Sequence, residues 1–498
     1  MSVEDVRVLV CVLLPLGAVP FILLAAKRPN LREAIAIATG AVLFVLVWSL
    51  WDDVAAGERP GWVIANTLPG LPLALEVEPL GLLFAMIASF LWIVTTIYAI
   101  GYMRAHHEQN QTRFYACFAL AISSAVGVAF SANLFTLFIF YEVLTLSTYP
   151  LVTHAGTDEA RRAGRTYLGI LIGSSIAFQL VAIIWTWSVT GTSDFEPGGI
   201  LDGHVGEGVA SVLLVLYVFG IGKAALMPLH RWLPAAMVAP TPVSALLHAV
   251  AVVKAGVFSI LKVAIYVFGL DFLATVPAAD WLAYLAGLTI VLGSLIAMTQ
   301  DNLKARLAYS TVSQLSYIIL GALLANFWAV IGAAIHILMH AFAKITLFFC
   351  AGAIMVVQHK TEVSELTGLG RKMPITMIAF LIASLSVVGL PLLGGMWSKW
   401  YLVLGSLEED KLILLAVLLV SSLLNVAYLS VVPIRALFGR AANDSLAPTH
   451  DSDTFRWGLD EAPLGCMIAI LVTVFGCAFL FWNVGAVFAL LQGALSVP

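Results

Sequence analysis

The stretch GIGKAALMPLHRWLP, residues 220–234, decides how this chain folds. It lies within an apolar run at about 209–239, yet it carries Lys223 and two prolines, Pro228 and Pro234. Proline removes a backbone donor and clashes with the preceding turn, so a helix through this stretch must break. At membrane depth the freed backbone groups are tolerated only where protein or a water-filled cavity satisfies them. Whether the run lies at that depth is decided by the rest of the chain.

Of 498 residues, 61% are hydrophobic and 11% charged, whereas an average soluble domain is about 25% charged. Apolar runs near 20 residues recur from end to end, the length that crosses about 30 Å of hydrocarbon. They predict about fourteen spans, near 6–26, 32–51, 78–101, 114–130, 133–153, 165–189, 209–239, 242–268, 281–299, 305–323, 328–355, 374–407, 411–437 and 464–492. The expected fold is an all-α polytopic membrane protein without a sizeable soluble domain. A net charge of −4 gives no footing for nucleic acid. Five cysteines (Cys11, Cys117, Cys350, Cys466, Cys477) form no metal-ligand spacing and read as small hydrophobes. Glu4 and Asp5 precede the first apolar run, where a signal peptide would be basic, so the first span is expected to be retained.

Basic residues fall in alternate loops. KRPNLRE, YMRAHHEQNQTR, EARRAGR, DNLKAR, GLGRK and the 435–460 segment carry them. The other set, WDDVAAGERPG, SDFEPGGILDGHVGEG, FGLDFLATVPAAD and LEEDK, has only Arg59 and Lys411. Lys and Arg stay on the cytoplasmic side, which places both termini on the outer, periplasmic side of a bacterial inner membrane.

A second break follows in span 12, where GLPLLGGMWSKW holds Gly389, Pro391, Gly394 and Gly395. Two breaks five spans apart lie in opposite orientations, the pattern of an inverted repeat with broken helices near a transport site. The expected organisation is an N-terminal unit (1–113), a first repeat of spans 4–8 (114–268), a second of spans 9–13 (281–437), and a loop with span 14 (438–498).

The intramembrane charges support that pattern. Glu142 stands near the middle of span 5, in FIFYEVLTLSTYPL, and Lys223 directly precedes the first break. His248 and Lys254 lie in span 8, and His336, His340 and Lys344 in span 11. Lys399 directly follows the second break. One such charge costs roughly 2.5–3.5 kcal/mol on insertion scales, so several without a function would cost on the order of 10 kcal/mol. Lys262, near a helix end, is expected to snorkel to the interface. His336, His340 and Lys344 recur at i, i+4 and i+8 and share one helix face. A metal site at HxxxH would need carboxylate or thiolate partners, and Lys344 would repel a cation, so no metal is expected.

Desolvation disfavours charge on a buried lysine and a nearby carboxylate favours it. A row of such groups can therefore pass protons laterally through water, with Glu142 acting on Lys223. Thr145, Ser147, Tyr149, Ser310, Thr311, Ser313 and Tyr317 are candidates to order that water, or else helix-packing hydroxyls.

Over about residues 75–440 the chain resembles the antiporter-like subunits shared by Mrp-type cation/proton antiporters, complex I and membrane-bound hydrogenases. The resemblance is carried by MPLHRWLPAAMVAPTPVSALLHAVAVVKAGVF and DNLKARLAYSTVSQLSY. It implies fourteen helices, two inverted five-helix units, broken helices 7 and 12 and a central polar axis. It further implies that Glu142 pairs with Lys223, that Lys254 and Lys399 are the helix-8 and helix-12 lysines, and that His248, His336 and His340 connect them. Leu392 replaces a usual second proline and Ala343 a usual phenylalanine before Lys344. Within that resemblance, the end of the chain at Pro498 sets aside the relatives with a long lateral helix or further spans, Lys399 favours the D-type component of Mrp antiporters, and the stretch YEVLTLSTYPLVTHAGTDEARRAGRTYL resembles that component or its hydrogenase counterparts.

The expected function is proton translocation within a hetero-oligomeric membrane complex, exchanging H⁺ for Na⁺ or K⁺. The alternative is a proton-pumping component of a complex I-like or hydrogenase redox complex. No cofactor, phosphate-loop or nucleophile motif accompanies the axis, so no covalent chemistry and no cofactor are expected. A desaturase-like membrane enzyme would need histidine clusters at helix ends, and a scaffold would not need the charges.

Overall fold

Several helices start where a capping polar residue precedes an apolar run. Asn133, Thr157, Asn302 and Asn326 each accept a bond from the backbone N–H three residues on, capping the helices that follow. Glu78 does the same with both carboxylate oxygens, accepting from Leu80 N–H at 2.6 Å and Gly81 N–H at 2.8 Å ahead of Pro79 at the first helical position. The computed structural model describes residues 3–68, 70–439 and 460–495.

Ten helices among the described residues are long and apolar enough to cross a membrane. Spans 1 to 6 are Val6–Leu24, Pro29–Ala55, Pro79–Ala105, Gln111–Ala129, Leu134–Val152 and Asp158–Thr190. Spans 9, 10 and 11 are Pro277–Thr299, Leu303–Leu323 and Phe327–Gln358, and spans 13 and 14 are Leu412–Phe438 and Leu464–Trp482. Span 8 runs from Thr241 to Phe268 in short α and π segments, Leu246–Val250 and Val263–Phe268 being π. The predicted span 14 stops early, at Asn483, and a separate helix, Val484–Leu495, follows it.

Spans 7 and 12 are broken as expected. Span 7 is Glu207–Gly220, then a single tight turn, Gly222–Ala224, then short pieces at Trp232–Ala235 and Ala236–Val238. Span 12 is Pro374–Val388 and Gly395–Glu408. Features recur with an offset of five spans. Spans 6 and 11 are the longest at 33 and 32 residues, spans 7 and 12 are broken, and spans 8 and 13 each contain a π turn.

The second break differs from the pattern implied by the resemblance. Leu392 adopts φ +71°, a left-handed conformation that the proline ring cannot reach. Gly389 has φ +93° and packs so tightly that an added Cβ would stand 2.9 Å from Lys399 Cδ. A Cβ on Gly395 would stand 1.9 Å from the Ser386 carbonyl oxygen.

The all-α expectation misses one element. β1 (Val3–Glu4), β2 (Pro60–Leu68) and β3 (Leu71–Glu76) form a three-stranded sheet in that order, β1 parallel and β3 antiparallel to β2. Isolated bridges continue it from Leu75 to Ser131 and from Asn133 to Asp194. The run GWVIANTLPGLPLALE is punctuated by glycine and proline, which reads as loop in sequence. Here Gly70, at φ +78°, lies at the hairpin turn, Gly61 and Pro72 are paired within the strands, and the bulges fall at Ile64 and Thr67.

Candidate functional site: a buried row of lysines and histidines

The break in span 7 sets the first lysine. Gly222 faces Ser174 Oγ and Gly256 faces the backbone of Lys223 and Ala224, each too closely for a side chain. The turn is therefore clamped between spans 6 and 8. Trp232 Nε1 donates to the Gly222 carbonyl at 3.0 Å, satisfying one of the backbone groups that the break frees. Lys223 is fully buried and its Nζ donates to the Tyr141 carbonyl at 2.8 Å and to Thr145 Oγ1 at 2.6 Å. The ammonium also lies 3.0 Å from the centre of the Tyr141 ring.

Glu142 does not bond Lys223. Its Oε1 is buried without a hydrogen-bond partner, and its carboxylate acts on Lys223 through space. The direct pair implied by the resemblance is thus replaced by a relationship in which Tyr141 and Thr145, on either side of Glu142 in sequence, hold the ammonium.

Lys254, on span 8, shares a hydrogen bond of 2.6 Å with His340 Nδ1 on span 11. One turn away, the His336 ring stacks at 5.7 Å from that of His340. His336 Nδ1 bonds Ser398 Oγ at 2.9 Å, and its ring stacks on Tyr317 at 5.6 Å. Tyr317 in turn lies under the Lys399 ammonium, 5.0 Å from ring centre to Nζ. Lys399 Nζ donates to the Val388 carbonyl at 3.1 Å, a group freed by the second break, and to Ser422 Oγ at 3.0 Å. Lys254, His340, His336, Tyr317 and Lys399 therefore form one unbroken row of neighbours.

Lys344 leaves this row. Its Nζ donates to Ser310 Oγ at 2.5 Å, which also accepts from Tyr428 O–H at 2.8 Å, and Tyr428 bonds Asn425. His248 lies on the π segment Leu246–Val250, and its side chain is outside the described residues. Among the candidate hydroxyls, Thr145, Ser310 and Tyr317 meet the ammonium groups of Lys223, Lys344 and Lys399 respectively, whereas Ser147 and Thr311 bond carbonyls of their own helices. Both HxxxH residues engage Nδ1 elsewhere, and among the described residues no group of three metal-ligating side chains converges.

Lys262 does not snorkel. It is fully buried, its Nζ 3.3 Å from Glu78 Oε1 and donating to the Ser131 carbonyl at 2.9 Å. The reason lies 184 positions earlier, where the cap of span 3 supplies a carboxylate at the same depth. In sequence Lys262 is read by its distance from a helix end, and nothing there signals Glu78.

Residues 131–425 match the family described as "NADH:quinone oxidoreductase/Mrp antiporter, TM", and residues 62–115 match "NADH-Ubiquinone oxidoreductase (complex I), chain 5 N-terminus". The chain is 34% identical over 411 residues to the N subunit of the NADH-quinone oxidoreductase of Desulforudis audaxviator, covering 82% of this chain and 81% of that protein. It is 33% identical over 380 residues to the A/B component of a probable K(+)/H(+) antiporter of Rhizobium meliloti, covering 74% of this chain and 37% of that one. The chain spans about half the length of the chain 5 relatives it matches. A chain in the Mrp complex from Dietzia has the same fold, with TM-score 0.84, 20% identity and coverage of 99% and 97%.

Proposed function

The chain belongs to the NADH:quinone oxidoreductase/Mrp antiporter family of membrane subunits, and from that premise we propose that it carries protons from Lys223 to Lys254 and then along the row through His340 and His336 to Lys399. The observation that carries this reading is the Lys254–His340 bond, which joins the two repeats by groups that both exchange protons. Glu142 biases Lys223 electrostatically, Lys254 and the histidines relay, and Lys399 delivers at the second break. Lys344 and His248 are assigned as side branches of the relay. The orphaned Glu142 Oε1 and His336 Nε2 are buried polar atoms of the kind that ordered water completes.

Within the family, the favoured reading is a D-type component of a Na⁺(K⁺)/H⁺ antiporter of the bacterial inner membrane, working with other membrane subunits. Lys399 and the likeness to part of a K(+)/H(+) antiporter support it. A redox-driven proton pump is the second reading, supported by 34% identity to part of a quinone oxidoreductase over most of both chains. A mild-detergent pull-down of the tagged chain separates them. Small membrane subunits alone, with Na⁺- or K⁺-dependent proton exchange in vesicles, support the antiporter. Co-purifying iron–sulfur subunits replace it with the redox pump.

A further inference from the structure

We propose that Lys262 is an occluded proton carrier at the outer end of the path, gated by Phe195 and Phe258. The proposal rests on the proton-translocation reading above and adds an outlet to it.

Span 8 carries two lysines eight residues apart, Lys254 on the axis and Lys262 beyond it. Eight residues rise about 12 Å and end about 80° around the helix from where they began, within one broad face. Phe258 stands between them on that face, fully buried, its ring centre 5.8 Å from Lys262 Nζ. On the other side the Phe195 ring lies 4.3 Å from the same ammonium. Phe195 also lines a cleft of about 550 Å³ with Arg59, Glu76, Ala132, Asp194 and Glu196. Most of these residues come from two of the four loops poor in basic residues, which the charge asymmetry assigns to the outer side. The Phe195 ring thus borders both Lys262 and the cleft, and Phe258, midway between the two lysines along span 8, borders Lys262 as well.

The cleft is built by the sheet that the sequence hid. Ala132 N–H bonds the Ala74 carbonyl at 3.1 Å, and Phe195 N–H bonds the Ala132 carbonyl at 3.0 Å. Phe195 is therefore held at the edge of an extended backbone network rather than on a free loop.

Glu78 is the fixed partner in this arrangement. Its Oε1 accepts from Gly81 N–H and faces Lys262, while its Oε2 accepts from Leu80 N–H and from Tyr266 O–H at 3.1 Å. Those donors lock the carboxylate in place, and Lys262 is the partner that can give up a proton. In the step proposed, the Lys262 ammonium passes one proton to water in the cleft and is left as a neutral amine. A proton arriving from Lys254 past Phe258 restores it. Glu76 and Arg59, paired at 3.2 Å, are the other charges facing this site.

Lys262→Arg separates a carrier from a structural clamp. Arginine keeps the pair with Glu78 but does not deprotonate in proteins. In vesicles containing the complete complex, Lys262→Arg is expected to lower proton flux at least ten-fold with assembly unchanged. Wild-type flux in this variant overturns the proposal. Lys254→Ala, measured alongside, tests the axis separately. If it abolishes flux while Lys262→Arg does not, the outlet falls and the axis stands; if it too is silent, the axis reading itself falls. Should the arginine variant fail to assemble, Phe195→Ala decides. It is expected to speed passive collapse of an imposed pH gradient several-fold, and an unchanged leak overturns the gate.

Discussion

Lys254 and His340 meet at 2.6 Å although 86 positions separate them and they stand on different spans, 8 and 11. In the relay proposed above, this bond is the junction between those spans. His340→Gln keeps a side chain that bonds the lysine but cannot take on a proton. It is expected to reduce proton flux ten-fold or more, about 1.4 kcal/mol in barrier terms, with normal amounts of assembled complex. Flux within two-fold of wild type would place the junction elsewhere.

Glu142 acts on Lys223 without touching it. Glu142→Gln should therefore lower flux severely while the contacts of Lys223 with Tyr141 and Thr145, and hence assembly, survive. Thr145→Val removes one acceptor of the ammonium and should cost only a few-fold. Vesicle flux normalised to complex content compares the two, and a larger loss in the threonine variant would reverse their assigned weights.

The second break has no room for a methyl group at Gly395, whose Cβ would fall on the Ser386 carbonyl. Gly395→Ala is expected to destabilise the solubilised protein by roughly 1–3 kcal/mol, the usual cost of overpacking. A drop in melting temperature, with flux lost through displaced Lys399, is the outcome to measure. An unchanged melting temperature would mean that the break can widen freely.

His154, just beyond span 5, tests pH dependence outside the membrane segments. Burial pushes its imidazole below its ordinary value, against a smaller upward pull from Glu108, whose carboxylate lies 3.9 Å from Nε2. The unfolded chain protonates near pH 6.5 and the folded one only at lower pH, so the unfolded state binds more protons in between. Stability from this group is present above about pH 6.5 and is lost as pH falls through the folded value. Melting temperature should fall faster on acidification in the wild type than in His154→Gln, and parallel curves would contradict the assignment.

What was legible in the sequence was whatever depends on neighbours along the chain. Apolar runs, prolines and isolated charges locate the spans, the breaks and every lysine of the axis, because a bilayer penalises each residue by its own depth. Contacts between distant elements were not legible. Lys262 reads as an interfacial lysine, and nothing beside Tyr141, Ser398 or Glu78 along the chain signals the partners each meets in the fold. The sheet is hidden in the sequence because glycine and proline punctuate its strands, residues that announce a loop when read alone.

Span 11 runs through the middle of the axis as one uninterrupted helix of 32 residues, while the lysines at either end sit on broken ones. Its two histidines and Lys344 are thereby carried on one continuous helix, so helix geometry alone sets their spacing. The positions of Lys223 and Lys399 depend instead on how each interrupted helix packs at its glycines.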